Sequence, residues 1–195
     1  MRVTADKPIK IFKEWYGEAK ATEPVNPNAM TLATVDDDGR PSARMVLLKD
    51  VDVDGFVFYT NLGSRKALEL SANPHAALCF YWKTLAKQVR VEGVIELVAD
   101  AEADAYFASR PKLSQLGAWA SKQSHPLEGR MALEKRIAKY TAKFNVGTIP
   151  RPDFWSGLRL RPVQIELWKE EAFRLHDRTR YKRDGDGWTV DSLYP

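Results

Sequence analysis

Two cations at the head of a helix are the first residues whose placement asks for chemistry. Asn61-Leu62-Gly63-Ser64 leads out of an apolar strand into Arg65 and Lys66. A helix N-terminus offers free N–H donors and partial positive charge, so basic residues in its first turn oppose the dipole. A bound phosphate removes that conflict, with Ser64 either capping the helix or reaching the same anion. The plainer reading leaves both cations in water.

Two further sets have the same character. In Phe173-Arg174-Leu175-His176-Asp177-Arg178, the spacing predicts a strand over 173–182 whose even positions 174, 176 and 178 share one face. Two arginines and a histidine in a row suit an anionic ligand, or else a solvated face. Tyr106, Arg110 and Ser114 lie four apart, which stacks them on one side of a helix, although Pro111 must kink or end it. The plainer alternative there is a helix end with Arg110 near its last carbonyls. Upstream of the basic row, Val163, Ile165 and Leu167 form an apolar strand face, leaving Trp168 with Gln164 and Glu166 on the polar side. Such an indole is covered by a planar ligand or a second chain, or by nothing. Arg44 and Lys49 bracket Met45-Val46-Leu47-Leu48 with opposite parity. A regular strand sends them to opposite faces, so a shared site requires a bend or bulge between them.

Other chemistries lack their residues. No GxGxxG or GxxxxGK[ST] is present, which removes the Rossmann and P-loop signatures. His75, His125 and His176 show no metal spacing, and no GxSxG elbow occurs. Cys79 lies in an apolar strand, where a packed thiol is expected, and one cysteine makes no disulfide framework.

The elements that must position these residues follow from periodicity. Ile9, Phe12, Trp15 and Ala19 predict a helix from Asp6 to about Lys20, ended by the Pro/Asn stretch 23–28. MTLATV, the turn DDDG and RPSARMVLLK read as a hairpin, followed by strand 55–61, a short helix at 64–72 and strand 76–82. Val89, Val91, Ile95 and Leu97 alternate with Gln88, Arg90, Glu92 and Glu96, marking a half-buried antiparallel strand. Helices are expected at about 100–109 and 126–144, then strands at 163–168, 173–182 and 187–190. Strands joined by short turns, with peripheral helices, predict an α+β, mainly antiparallel barrel forming one domain over 1–195. Residues 1–29 are its N-terminal helix and connector.

Composition sets the remaining bounds. The 195 residues carry a net charge of +4, and the basic excess sits in residues 101–195. That suits phosphate-bearing small molecules as well as nucleic acid. No apolar run approaches the roughly 18 residues of a membrane span, and no signal-peptide pattern opens the chain, so a cytoplasmic location is expected.

Several motifs in order then resemble the pyridoxine (pyridoxamine) 5′-phosphate oxidases. They are RMVLLK (44–49), FYTNLGSRKA (58–67), QVRVEG (88–93), YFASRPKLSQLGAWASKQS (106–124), FWSGLRLRP (154–162) and IELWKEEAFRLHDR (165–178). The resemblance implies an FMN-binding split β-barrel that forms a homodimer, with FMN at the subunit interface. Matched by motif, the implied FMN contacts are Arg44, Met45, Val46, Leu47, Leu48, Lys49, Tyr59, Thr60, Arg65, Lys66, Gln88, Gln123, Ser124, Trp168 and Arg178. The implied substrate contacts are Lys49, Tyr106, Arg110, Ser114, Arg174, Leu175 and His176, with no metal. Arg174 and His176 are the expected catalytic pair, covering the substrate ring. The implied reaction oxidises pyridoxine or pyridoxamine 5′-phosphate to pyridoxal 5′-phosphate, with O₂ as acceptor, giving hydrogen peroxide and, from the amine, ammonia. Asn26-Pro27 departs from the Asp-Pro of many relatives. The alternative is a split-barrel protein that holds FMN or pyridoxal phosphate without turnover. Nucleic-acid binding is a weaker third reading, because the basic residues fall into ligand-sized sets.

Overall fold

The computed structural model describes residues 2–195. Ten strands among them form one sheet, ordered β1-β10-β9-β8-β7-β6-β2-β3, with β4 and β5 branching from β8. These are β1 (Arg2–Val3), β2 (Ala29–Val35), β3 (Pro41–Leu47), β4 (Asp50–Asp52), β5 (Gly55–Asn61), β6 (His75–Trp82), β7 (Lys87–Leu97), β8 (Trp155–Lys169), β9 (Asp177–Asp184) and β10 (Gly187–Ser192). Every pairing is antiparallel and the sheet does not close, the expected α+β split-barrel arrangement. Strand β8 organises it. Its first half pairs with β5, its second half with β9, and β7 runs along both.

Alternation decides which face is buried. Val89, Val91 and Ile95 of β7 point inward with Leu78, Phe80, Ile165 and Leu167, while Arg90 points out; Leu97, at the strand's end, is exposed. Helix α1 (Lys7–Thr22) lays Ile9 and Phe12 on that inner face. Phe12 packs edge-on against Phe56 (4.9 Å) and Phe80 (5.0 Å). The buried indoles keep their N–H groups satisfied, Trp82 donating to Pro27 O (2.8 Å) and Trp188 to Ala5 O (3.0 Å).

Four helices flank the sheet: α2 (Arg65–Ala72), α3 (Asp100–Ser109), α4 (Lys112–Ala120) and α5 (Ala132–Lys143). The helix expected from 126 begins only at Ala132. Gly129 and the exposed Leu127 leave nothing in 126–131 to pack a first turn, and α5 itself buries no residue. Pro111 ends α3, and Lys112 opens a separate helix not anticipated from periodicity. Tyr106, Arg110 and Ser114 are therefore spread over two helices and their joint, not along one face. The short strands β1 and β4 also went unpredicted.

The tail differs most. Strand 173–182 starts only at Asp177, because β8 and β9 are antiparallel neighbours and the chain must reverse between them. The reversal is a 3₁₀ turn, Ala172–Arg174, with Phe173 (φ 56°) and Arg174 (φ 63°) left-handed. The common strand face of Arg174, His176 and Arg178 does not exist. Val163 leaves the apolar face as well. The register passes from Glu92 opposite Gln164 to Gly93 opposite Pro162, so Val163 is the extra residue of a bulge and is exposed.

At that bulge the β7 and β8 backbones touch. A Cβ on Gly93 would meet Arg161 O at 2.1 Å and Leu160 Cδ2 at 2.8 Å. Gly93→Ala is expected to cost about 1–3 kcal/mol, the usual penalty of overpacking. Urea unfolding should show a lower midpoint at unchanged slope. An unchanged midpoint would mean that the two strands are not in contact there.

Candidate functional site

A cavity of about 500 Å³ opens between the end of β3, strand β5, the head of α2 and helix α4. Met45, Val46, Leu47, Lys49, Tyr59, Thr60, Lys66, Gln123, Arg110 and Ser114 line it, all expected site residues, together with Asn61, Gly117, Ala118, Ser121 and Trp155. Lys49 reaches it because β3 ends at Leu47. The chain then crosses to β5, where Lys49 N donates to Val57 O (2.8 Å); Arg44, of opposite parity, does not share this cavity. Leu48 faces the core instead.

Lys66 is buried, and its Nζ donates to Thr60 Oγ1 and Ser64 Oγ, both at 3.1 Å. Ser64 therefore serves the lysine and makes no side-chain cap. Thr60 in turn donates to Gln123 Oε1 (3.4 Å). No carboxylate pairs with Lys66 among the described residues. Burial pushes its pKa down, nearby Arg44 adds to the effect, and Glu69 opposes both.

Glu69 is the buried hub beside it. It accepts from Arg65 Nε (2.7 Å), Arg44 Nη2 (3.1 Å), Ser42 Oγ (2.7 Å) and Thr34 Oγ1. Burial alone would raise its pKa, but the hydrogen bonds from Thr34, Ser42, Arg65 and Arg44 outweigh it and hold the carboxyl at about 2. Arg44 also donates to Thr34, Ser42 and Leu32 O, so its guanidinium is taken up by protein and does not line the cavity. Arg65 gives only its Nε to Glu69, and with Ser124 it borders an adjoining hollow of about 440 Å³. Three cations against one carboxylate leave this corner with a net charge of two positive.

A second uncompensated cation stands on the helical side. The Arg110 guanidinium lies over the Trp155 ring at 4.8 Å, and its buried Nη1 has no partner. Burial pushes its pKa down. Tyr59 stacks on Tyr106 (3.9 Å, 13°) and on Trp155 (5.2 Å, 12°), so Tyr106 backs the wall rather than lining it. Gly157 makes room for this stack, since a Cβ there would sit 2.7 Å from Tyr59 Cε1. Burial, then the charge of Glu102, raises the Tyr59 pKa to about 12, keeping its phenol protonated.

The remaining expected residues lie elsewhere. Gln88, Trp168 and Arg178 form one row across β7, β8 and β9, and His176 packs on Trp168 at 4.6 Å. Buried Glu166 binds Arg178 through Nε (2.9 Å) and Nη2 (2.8 Å), and Arg90 through Nη1 (3.3 Å). Arg174 and Leu175 are exposed on the turn. None of this group lines the cavity. Asn26 takes φ 47°, a conformation asparagine tolerates, at the start of the turn into β2.

A family model described as pyridoxamine 5′-phosphate oxidase matches residues 18–144, and one described as the pyridoxine 5′-phosphate oxidase C-terminal dimerisation region matches 155–195. The chain belongs to the pyridoxamine 5′-phosphate oxidase family. Members of this oxidase family named pyridoxine/pyridoxamine 5′-phosphate oxidase include those of Brucella anthropi and Azorhizobium caulinodans. The first is 59% identical over 194 residues, 98% of this chain and 95% of that one. The second is 60% identical over 193 residues, 98% and 91% respectively. The crystal structure of PhzG from Burkholderia lata 383, in complex with tetrahydrophenazine-1-carboxylic acid, superposes with a TM-score of 0.91 at 34% identity, covering 96% of this chain and 92% of that one. An FMN-binding protein related to the family, from Nostoc punctiforme, shares the fold, with a TM-score of 0.77 at 20% identity over 95% and 96% of the two chains.

Sequence reading missed Glu69, Glu166, Gln115 and Trp155. Glu69 had one visible signal, its position four residues after Arg65 on the same helix. Its depressed pKa gives a sign for acid stability. The contribution is complete above its ordinary value of 4.5 and is lost as pH falls toward about 2. Unfolding measured from pH 7 downward should show Glu69→Gln less stable by about 1.5–3 kcal/mol at neutral pH, the scale of a charged hydrogen bond. The gap should close in acid. A gap of constant size would mean that the charge of Glu69 is not what stabilises.

Proposed function

We propose that this chain, as a homodimer, oxidises pyridoxine and pyridoxamine 5′-phosphate to pyridoxal 5′-phosphate with FMN as cofactor and O₂ as acceptor, releasing hydrogen peroxide and, from the amine, ammonia. One observation carries the reading. A single cavity is lined by two cations without counter-ions, the buried Lys66 and the half-buried Arg110, whose Nη1 is itself buried, which suits two phosphates, one on a cofactor and one on a substrate.

The donor set at Lys66 fits FMN: a net charge of two positive meets a phosphate dianion, and the free Nη atoms of Arg65 add forked donors. FMN, when bound, supplies a hydride acceptor at its N5 and returns the electrons to O₂. Thr60 and Gln123, linked to Lys66 by hydrogen bonds, and the β3 edge Met45–Leu47 then border the cofactor. Arg110, Ser114 and Lys49 hold the substrate phosphate, with Tyr106 fixing the Tyr59 wall behind it. Anchoring at both phosphates orients the reacting carbon, an effect that can lower a barrier by several kcal/mol. Gln88, Trp168 and Arg178, distant from this cavity, reach the cofactor from a second copy of the chain. Arg174 and Leu175, exposed on their turn, and the half-buried His176 beside Trp168 cover the substrate from that same copy.

Purified protein should be yellow, and anaerobic pyridoxine 5′-phosphate should bleach it. FMN that binds but is never reduced would identify a carrier instead. Arg65→Ala with Lys66→Ala should weaken FMN by about 1.5–3 kcal/mol for each lost phosphate contact in equilibrium titration. Unchanged affinity would remove the phosphate from the head of α2.

The shared site has its own test. Lys66→Ala and Arg178→Ala should each be nearly inactive alone. Mixed after dissociation, they should regain partial activity, because each hybrid dimer holds one intact site. No recovery in verified hybrids would put both residues in one subunit's site.

A further inference from the structure

We propose that Gln115 is a positioning residue that fixes the substrate's phosphate anchor, and that the preference for phosphorylated substrate depends on it. The inference rests on the proposed role of Arg110.

Pro111 creates the need. It disfavours helical backbone at Arg110, which is extended (φ −74°, ψ 148°), and α3 stops. Of the last carbonyls of α3, Tyr106 O accepts from Ser109 Oγ (2.7 Å) and Phe107 O from the Arg110 N–H (3.2 Å), and Ala108 O has no backbone donor from a continuing helix. Gln115, buried at the end of the first turn of α4, folds its side chain back against the end of α3. Its Nε2 donates to Phe107 O (3.0 Å), Ala108 O (3.2 Å) and Arg110 O (3.0 Å). All three partners are acceptors, so the amide orientation is set by its surroundings.

The consequence falls on one side chain. Arg110 follows the end of α3, and its own carbonyl is one of the three that Gln115 holds. Its guanidinium rests on Trp155 and aims a buried Nη1 with no protein partner. No carboxylate holds this guanidinium among the described residues, so its aim is fixed by ring stacking and by the backbone from which it projects. Ser114, also on the cavity, precedes Gln115 directly. One amide therefore ties together the end of α3, the Pro111 joint and the first turn of α4.

The test compares pyridoxine 5′-phosphate with unphosphorylated pyridoxine as substrates of the FMN-loaded enzyme. Wild type should strongly prefer the phosphate ester; without that preference, the role given to Arg110 fails first and this inference falls with it. Gln115→Met keeps the length of the side chain and removes the donors. It should raise KM for the phosphate ester by about ten- to a hundredfold, the scale of one or two lost hydrogen bonds, and leave FMN affinity and the weak pyridoxine reaction unchanged. In an Arg110→Ala background, Gln115→Met should have little further effect, because it acts through Arg110. If the Met variant folds poorly, Gln115→Asn, a methylene too short to reach all three carbonyls, takes its place. Wild-type KM in the variant, equal losses on both substrates, or effects that multiply with Arg110→Ala would each overturn the proposal.

Discussion

The site depends on two cations withdrawn from water without an anion, the buried Lys66 and the half-buried Arg110 with its buried Nη1. An ammonium or guanidinium withdrawn from water without a counter-ion is costly, and proteins usually avoid it by pairing the charge. Here the obvious partner is at hand and is used elsewhere. Glu69 binds Arg44 and Arg65, two hydroxyls complete its shell, and Lys66 receives only neutral oxygens. Arg110 rests on an indole face instead of a carboxylate. In the proposed function, phosphate would relieve the cost of these arrangements, so local instability and ligand affinity would share one physical origin.

The fold exists to hold those cations at fixed places. The crossing from β3 to β4 brings Lys49 to the cavity that β5 borders through Tyr59 and Thr60. Strand β8 serves two regions at once. Before its bulge it presents Trp155 to the cavity, and after it Trp168 joins the row with Gln88 and Arg178. A bulge bends and twists a strand, which lets one continuous element face two ways. The family's C-terminal dimerisation region begins at the first residue of this strand. The same 15-residue strand thus joins the cavity to the region matched by the dimerisation model.

Much of this was legible from residue order. Period-two alternation located β7 within one residue of its start, and the wrong-sign charges at the head of α2 pointed to Lys66, which the fold buries on the cavity wall. What alternation could not supply was where strands must reverse or slip. Arg174, His176 and Arg178 have matching parity, yet the β8–β9 reversal needs a turn between them, and left-handed Phe173 and Arg174 break the count. Val163 looks apolar and inward, but the bulge turns it out. Nor could residue type alone assign partners. Arg44 and Arg65 were both implied FMN contacts, whereas the fold engages both Nη atoms of Arg44 in structural hydrogen bonds and leaves those of Arg65 free. Glu69 and Gln115 act by contacts between segments that no local pattern encodes.

The central claim is that one cavity holds two separate phosphates, one at Lys66 and one at Arg110. Phosphorus NMR on protein loaded with FMN and pyridoxal 5′-phosphate tests it most directly. Two bound resonances per subunit are expected, with Lys66→Ala shifting or removing only the FMN signal and Arg110→Ala only the other. A single bound resonance, or two that respond together to either substitution, would contradict the account.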